Sequence, residues 1–247
     1  MSALAGAAFD RIAEKYDAIW TRSTIGRLQR AGVWRRIDPL VRAGDRLLDM
    51  GCGTGEDALH FMKCGAEVEA IDASEKMVRI ARRRGVQARR LAIEALSGRA
   101  GQFDGAVSNF GALNCVRNLD GVAAALGSLI RPGGYLAICM MGACCVWEAG
   151  YFLRRGDLRK AFRRWRGVQP AMGIHISYRS VNQLRRTFQR QFKLTNWYGI
   201  GVCVPPSYVE NLPETTLRWL GKIDGHIDGW PLLRALSDHR LLLFERL

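Results

Sequence analysis

The sequence predicts an α/β fold, namely a doubly wound, Rossmann-like sheet of seven strands, mostly parallel with an antiparallel last strand, plus helical lid insertions. Two observations lead to this class. Short apolar segments alternate along the chain with segments of helical period. In addition, Gly51, Gly53 and Gly55 directly follow the first apolar segment, and the second apolar segment ends in Asp72. A glycine turn between a strand and a helix forms a ligand-binding corner in open α/β sheets.

Composition restricts the class of protein further. Thirty-seven basic and 23 acidic residues give the 247-residue chain a net charge of +14, which favours anionic partners. The seven cysteines are odd in number, form no CxxC motif and come with no secretory signal pattern, so we expect a reducing cytoplasm. The longest apolar run, 135–147, is too short to span a membrane. We therefore expect a protein that is soluble or peripheral to a membrane.

The first elements are a helix and the glycine corner. Apolar residues at Phe9, Ile12 and Tyr16 share one helical face. The glycine corner then follows a predicted strand that contains Asp49. The dinucleotide fingerprint Gly-x-Gly-x-x-Gly/Ala, counted from Gly51, requires a small residue at position 56, where this chain has Glu56. The Gly-Lys-Ser/Thr ending of a phosphate-binding loop is also absent from the motif. The two acids disfavour a phosphate and favour a positively charged ligand.

The pattern continues through four more strands of the core. The second strand, 68–72, ends in Asp72, where a carboxylate can accept ribose hydroxyls, and Ser74 can cap the next helix. We predict a third strand at 86–93 and a fourth at 103–108 that leads into a turn. A helix at 120–130 and a fifth strand at 135–141 complete this part.

After residue 142 the pattern changes. Residues 151–166 contain seven basic residues, and Leu158, Ala161, Phe162 and Trp165 are spaced as one face of an amphipathic helix. Such a helix either caps the site or contacts a membrane surface or an anionic substrate, and nucleic acid is a further alternative. The remaining predicted elements are a helix at 178–189, a strand region at 192–204, a helix at 208–222 and a last strand at 238–245.

Several of these motifs resemble those of class I S-adenosylmethionine-dependent methyltransferases. The run Leu-Asp-Met-Gly-Cys-Gly-Thr-Gly at 48–55 resembles their first motif, and Phe-x-x-Ile-Ala-x-x-Tyr-Asp at 9–17 resembles the N-terminal lid of small-molecule members. The segment 103–113 and the Pro-Gly-Gly turn at 132–134 are similar to later family motifs. The resemblance covers residues 9 to 141 and implies S-adenosylmethionine as the cofactor, a cation without phosphate.

The resemblance also implies an organisation and a cofactor site. The predicted single domain, 1–247, divides into an N-terminal helical lid at 1–45, a cofactor-binding core at 46–141, a basic helical insertion at 142–178, and a C-terminal part at 179–247 with an insertion at 205–238. The predicted cofactor-binding residues are Tyr16, Asp49, Gly51, Cys52, Gly53, Gly55, Asp72, Ala73, Met77, Ile93, Asn109 and Phe110. Many relatives have an aspartate for the adenine where this chain has Ala92, so either the backbone around Ile93 or the side chain of Glu94 replaces it.

A general base is required only if the acceptor must lose a proton. We predict His175 and Tyr178 as catalytic candidates because they follow the first insertion and can point into the chamber. His226 and His239 are further candidates, although His239 precedes a strand and is interpreted as a turn residue. The turn at 109–112 lacks the Asp/Asn-Pro-Pro-Tyr motif, which disfavours methylation of amide or exocyclic amino nitrogens.

We therefore predict a methyltransferase that acts on an apolar or aromatic small molecule or a lipid-like acceptor, with a peripheral membrane contact through 151–166. One alternative is an RNA-modifying or nucleic-acid-binding methyltransferase, which the lack of an RNA-binding signature disfavours. Another is a non-methylating protein that binds S-adenosylmethionine. The sequence does not predict the oligomeric state.

Overall fold

A seven-stranded sheet forms the centre of the molecule, as predicted. The computed structural model describes residues 3–97, 100–171, 173–209 and 212–247. The sheet has the order β3-β2-β1-β4-β5-β9-β8, and β9 runs in the opposite direction to the other six strands. Its strands are β1 Arg46–Met50, β2 Glu67–Asp72, β3 Gln87–Arg90, β4 Phe103–Ser108, β5 Ile130–Met141, β8 Phe192–Ile200 and β9 His239–Arg246. Strands β6 Val168–Ala171 and β7 Ile174–Ser177 form a separate two-stranded sheet.

Helices cover both faces of the large sheet. They are α1 Ala3–Asp10, α2 Ala13–Tyr16, α3 Thr24–Ile37, α4 Glu56–Lys63, α5 Glu75–Arg83, α6 Leu119–Leu129, α7 Val146–Leu153, α8 Leu158–Ala161, α9 Val181–Phe188 and α10 Glu214–Ile227. None of the helices in the described ranges is long and apolar enough to cross a membrane.

The alternation of side chains along the strands explains the two-layer core. On β1, Leu47 belongs to one buried cluster and Leu48 to the other, because successive side chains point to opposite faces of a strand. The cluster of Leu47 includes Val33 of α3 and Phe61 of α4, whereas that of Leu48 includes Phe188 of α9. All of these apolar side chains are at most 1% exposed. Burial on both faces explains the nearly continuous apolar sequence of the central strands.

Several predicted elements have different bounds in the structure, and two of the differences have a clear local cause. Strand β3 covers only Gln87–Arg90, because it is an edge strand and the chain turns inward to bury Ile93. The helix predicted from 208 begins at Glu214, directly after Pro213. Since a proline disfavours helical conformation in the preceding residue, the helix does not extend back to 208. Residues 210–211 of that predicted helix lie outside the described residues.

The prediction of one amphipathic helix at 151–166 is wrong. The chain instead forms α7, α8 and a short 3₁₀ turn at Arg164–Arg166, with Gly156 at φ 70° between the first two helices. The interruption breaks the helical face that the spacing predicts. Leu158 and Trp165 are 61% and 65% exposed, while Ala161 is buried.

Packing of α9 against the sheet allows a direct test of the fold. Phe188 is fully buried and its ring contacts those of Phe192 and Phe244, with centroids 6.1 and 5.3 Å away. We expect Phe188→Ala to lower the free energy of unfolding by about 3–5 kcal/mol, because it leaves a cavity in the core. Urea denaturation measures this, and Arg185→Ala on the exposed face of α9 is the control. Equal effects of the two variants would contradict the packing described.

Candidate functional site

The glycine corner lies between β1 and α4 with its backbone uncovered. Gly51, Gly53 and Gly55 have φ values of 76°, 53° and 85°, which glycine adopts without strain. A Cβ atom on Gly51 would lie 2.3 Å from Cβ of Ala112, whereas one on Gly53 would meet only the ring of Tyr16, at 4.0 Å. A ligand can therefore lie directly against this backbone.

The carboxylate of Asp72 holds the corner together. Its Oδ2 accepts a hydrogen bond from the backbone N–H of Gly53 at 3.0 Å, and its Oδ1 accepts one from Ser74 at 2.8 Å. Asp72 is 3% exposed and lines the cavity at the corner. Burial raises its pKa, although the two backbone hydrogen bonds act in the opposite direction.

Asp49 supplies a second buried carboxylate beneath the corner. It is 2% exposed, and its Oδ2 has no hydrogen-bond partner among the described residues. Burial and the charge of Asp57 raise the pKa of Asp49 well above its usual value. A buried carboxylate oxygen without a donor is unfavourable by itself, and a cationic ligand group would satisfy it.

Two adjoining cavities open at this edge of the sheet, and we call them the cofactor cavity and the acceptor cavity after the roles that we propose for them. The cofactor cavity, of about 40 Å³, is lined by Phe9, Tyr16, Gly51, Gly53, Asp72, Met77, Asn109, Phe110 and Ala112. The acceptor cavity, of about 370 Å³, is lined by Phe9, Ile12, Tyr16, Ile19, Trp20, Phe110, Met141, Arg163, Arg164, Pro206, Ser207, Tyr208, Asp238 and His239. Phe9, Tyr16 and Phe110 belong to both linings.

Seven of the twelve predicted cofactor residues therefore line the cofactor cavity. The other five are Asp49, Cys52, Gly55, Ala73 and Ile93. Four of these five have relative exposures of 8% or less, and Gly55 is also buried. Gly55 is the N-cap of α4, and a Cβ there would lie 2.9 Å from Val86.

Phe110 separates the two cavities and has an unusual backbone conformation. Its φ of 48° makes it the single residue other than glycine with positive φ in the described ranges. Its ring contacts those of Trp20 and His239, with centroids 5.4 and 5.3 Å away. Asn109 accepts from the Phe110 N–H and donates to Asp57. Strained residues that are held this firmly concentrate at functional sites.

The N-terminal segment lies over the cofactor cavity and supplies Phe9 and Tyr16 to its lining. Asp10 of α1 accepts hydrogen bonds from the Ser74 hydroxyl at 2.6 Å and the Lys76 N–H at 2.9 Å. Asp17, at the start of a π-helical turn that ends at Thr21, accepts from the Thr54 hydroxyl at 2.6 Å. These contacts hold Tyr16 over the corner, where burial raises its pKa to about 12.

A buried charge network forms the polar end of the acceptor cavity. Glu148, 1% exposed, accepts hydrogen bonds from Arg163 and Arg164 of the first insertion and from the Tyr208 hydroxyl of the second, at 2.6–3.0 Å. Arg164 also donates to the Asp238 carboxylate at 2.7 Å. Burial would raise the pKa of Glu148, but the hydrogen bonds from Arg163 and the charge of Arg164 hold it below its usual value. The network joins the two insertions.

The structure changes the assignment of the histidines. His175 lies on the exposed side of β7, since Ile174 and Ile176 occupy its buried side, and it does not line either cavity. The expectation that His175 points into the chamber is therefore wrong. His239, interpreted as a turn residue, is instead the first residue of β9 and lines the acceptor cavity. Its Nδ1 lies 3.2 Å from Oδ2 of Asp238.

Tyr178 lies next to the charge network and not in the cavity wall. It is 8% exposed, and the Arg164 guanidinium is 5.5 Å from the centre of its ring. Burial raises the pKa of its hydroxyl. A buried phenol of this kind is a poor proton acceptor at neutral pH.

Comparison with known proteins agrees with this geometry. Residues 11–196 match the family model described as a methyltransferase domain. A demethylmenaquinone methyltransferase of Clavibacter sepedonicus is 32% identical over 77% of this chain and 78% of its own length. A ubiquinone biosynthesis O-methyltransferase of Methylocella silvestris is 38% identical, but the match covers only 41% of each chain. A solved S-adenosylmethionine dependent methyltransferase from Mesorhizobium loti has a TM-score of 0.60 at 21% identity, covering 92% of this chain and 99% of that one.

The chain is thus an S-adenosylmethionine-dependent methyltransferase. It belongs to the family that the methyltransferase-domain model describes. The residues present fit the cofactor, because the buried Asp49 oxygen lacks a donor and the bare turn at Gly53 leaves room for a ligand.

The raised pKa of Asp49 predicts a pH dependence of cofactor binding. A protonated Asp49 cannot pair with a cationic group, so we expect affinity to fall as the pH drops through the raised pKa, by at most tenfold per pH unit for one proton. Calorimetry with S-adenosylmethionine across the acid range measures this. Asp49→Asn should bind more weakly and lose the pH dependence, whereas an unchanged profile in that variant would assign the proton to another group.

Proposed function

We propose that this enzyme methylates a hydroxyl group or an activated ring carbon of an aromatic, quinol-like molecule with an apolar tail. The main support is the composition of the acceptor cavity. Ile12, Ile19 and Met141 supply apolar wall, while Asp238 and His239 form a polar end beside Phe110. A ring with polar substituents and a hydrocarbon tail matches this division, and a polynucleotide does not.

Two observations support a polar oxygen on the acceptor. The indole Nε1 of Trp20 is buried and donates no hydrogen bond to the described residues, so it is available to an oxygen of the bound molecule. The relatives from C. sepedonicus and M. silvestris bear names that specify demethylmenaquinone and ubiquinone biosynthesis. The second match covers only 41% of that relative, so its name supports the class of acceptor and not a particular reaction.

We infer that His239 takes the proton that the acceptor loses. The Nδ1 of His239 lies 3.2 Å from Oδ2 of Asp238, although not in hydrogen-bonding geometry, and the opposite nitrogen, Nε2, would accept a proton from a hydroxyl in the cavity. Asp238 remains ionised before the proton is transferred, because the hydrogen bond and charge of Arg164 lower its pKa despite burial. Its charge then stabilises the imidazolium, as in other carboxylate–histidine pairs.

The other residues of the site orient the reactants and exclude water. Asp72 and Asp49 are the residues that would hold the ribose and the ammonium group of S-adenosylmethionine, which supplies an activated methyl group when bound. Phe110 and Tyr16, shared by both cavities, would align the acceptor with that methyl group. Alignment of this kind can supply about 7–11 kcal/mol of the barrier reduction.

We also propose that the first insertion contacts an anionic membrane from which the acceptor is taken. Five of the seven basic residues at 151–166 are exposed, namely Arg154, Arg155, Arg159, Lys160 and Arg166. Leu158 and Trp165, whose apolar side chains are exposed, directly precede Arg159 and Arg166 in the chain. Basic residues beside exposed apolar ones are the pattern of a membrane-surface contact. The same insertion supplies Arg163 and Arg164 to the acceptor cavity.

The proposed reaction can be tested with labelled cofactor and a prenylated hydroquinone. We expect label in the lipid extract, and we expect His239→Asn to lower kcat by about 10²- to 10⁴-fold. The KM for S-adenosylmethionine should change little, and alkaline pH should partly restore the rate because the acceptor then ionises unaided. His226→Asn, on the exposed end of α10, is the control. Label in RNA or protein instead of lipid would contradict the proposed acceptor.

Membrane contact predicts lipid-dependent sedimentation. We expect the protein to bind vesicles of phosphatidylglycerol but not of phosphatidylcholine, more weakly at high salt. The double variant Leu158→Ser/Trp165→Ser should lower the binding at least tenfold, because two exposed apolar side chains no longer enter the interface. Trp219→Ser removes a similarly exposed tryptophan from α10. An equal loss with that control would mean that the first insertion is not the contact.

A further inference from the structure

A cluster of three potential metal ligands lies at the far end of α4 from the glycine corner. His60 and Cys64 are four residues apart and so lie on one face of the chain as α4 ends, and Asp38 follows α3 directly. The Nε2 of His60 is 2.7 Å from Oδ1 of Asp38 and 3.9 Å from Sγ of Cys64. The three ligand atoms all lie within 4.8 Å of one another. Neither the cofactor cavity nor the acceptor cavity includes these residues.

The separations are close to those that a tetrahedral zinc ion requires. Zinc binds imidazole nitrogen and carboxylate oxygen at about 2.0–2.2 Å and thiolate sulfur at about 2.3 Å, which places the ligand atoms about 3.3–3.6 Å apart. The distance from His60 to Asp38 is shorter than this and that from His60 to Cys64 is longer. Shifts of about half an ångström in these partly exposed side chains would bring both distances into the range that zinc requires.

The histidine ring is held in place by its neighbours. It stacks on the indole of Trp34 with centroids 3.8 Å apart and an angle of 1° between the planes. The Trp34 Nε1–H donates a hydrogen bond to Asp57 at 2.8 Å, which fixes the indole in turn. Support by neighbouring groups that orient a ligating histidine is typical of metal sites.

The chemistry of the three ligands selects the metal. A thiolate and an imidazole favour zinc over magnesium or calcium, which prefer oxygen ligands. The side chains of His60 and Asp38 are 21% and 39% exposed, and Cys64 is also exposed, so a fourth position is open to water. The thiol proton leaves to solvent when the metal binds.

We propose that Asp38, His60 and Cys64 bind a zinc ion or a similar divalent transition metal, outside the methyl-transfer site. The pair Cys144 and Cys145 is a separate potential thiol site and provides a matched comparison, since Cys144 is also partly exposed. The proposal does not depend on the identity of the methyl acceptor.

Cobalt titration of the untagged protein tests this proposal. We expect a thiolate-to-cobalt charge-transfer band that zinc abolishes by competition. Cys64→Ser should remove the band, His60→Ala should weaken cobalt binding at least tenfold, and Cys144→Ser should leave both unchanged. Far-UV circular dichroism identifies any variant that fails to fold, and the Cys64→Ser result stands independently if His60→Ala does fail.

A second measurement uses the exposure of Cys64. Saturating zinc should slow its alkylation by iodoacetamide at least tenfold, as mapped by mass spectrometry, while Cys144 reacts at its original rate. The absence of a cobalt band, its persistence in Cys64→Ser, or its loss in Cys144→Ser would overturn the proposal.

Discussion

The carboxylate of Asp72 is the constraint on which the site depends. One oxygen accepts from the N–H of Gly53 and the other from that of Ser74, so a single side chain joins the turn after β1 to the start of α5. Ser74 in turn binds Asp10 of the N-terminal segment. Through this chain of hydrogen bonds, the end of β2 determines the conformation of the glycine corner and the position of the segment above it.

The core of the fold could be predicted because its signals are local. Gly51, Gly53 and Gly55 all require positive φ, and the apolar strands alternate with helices at a regular spacing. The first insertion could not be predicted in the same way. The spacing from Leu158 to Trp165 is helical, but Gly156 and burial of Arg164 against Glu148 and Asp238 interrupt the helix. Long-range ion pairs outweigh helical periodicity there.

The residues of the site could be predicted only where they belong to a recognisable sequence motif. Asn109 and Phe110 follow the fourth strand, and these two residues, which the family resemblance singles out, line the cofactor cavity. His239 is a candidate that the sequence pattern places in a turn, although a topological signal points to the cavity. Because β9 runs antiparallel, its first residue pairs with Met141 at the end of β5 and lies at the edge where the parallel strands end. Glu148 and Tyr208 give no comparable signal, since 60 residues separate the two partners.

The closed N-terminal segment has a consequence for turnover. Phe9 and Tyr16 of this segment line the cofactor cavity, and two hydrogen bonds hold the segment in place, one between Asp10 and Ser74 and one between Asp17 and Thr54. We expect both hydrogen bonds to break when spent cofactor is exchanged, because the segment lies over the cavity. Each catalytic cycle then includes an opening step that is independent of the chemistry, and its frequency sets an upper limit on the rate whatever the acceptor.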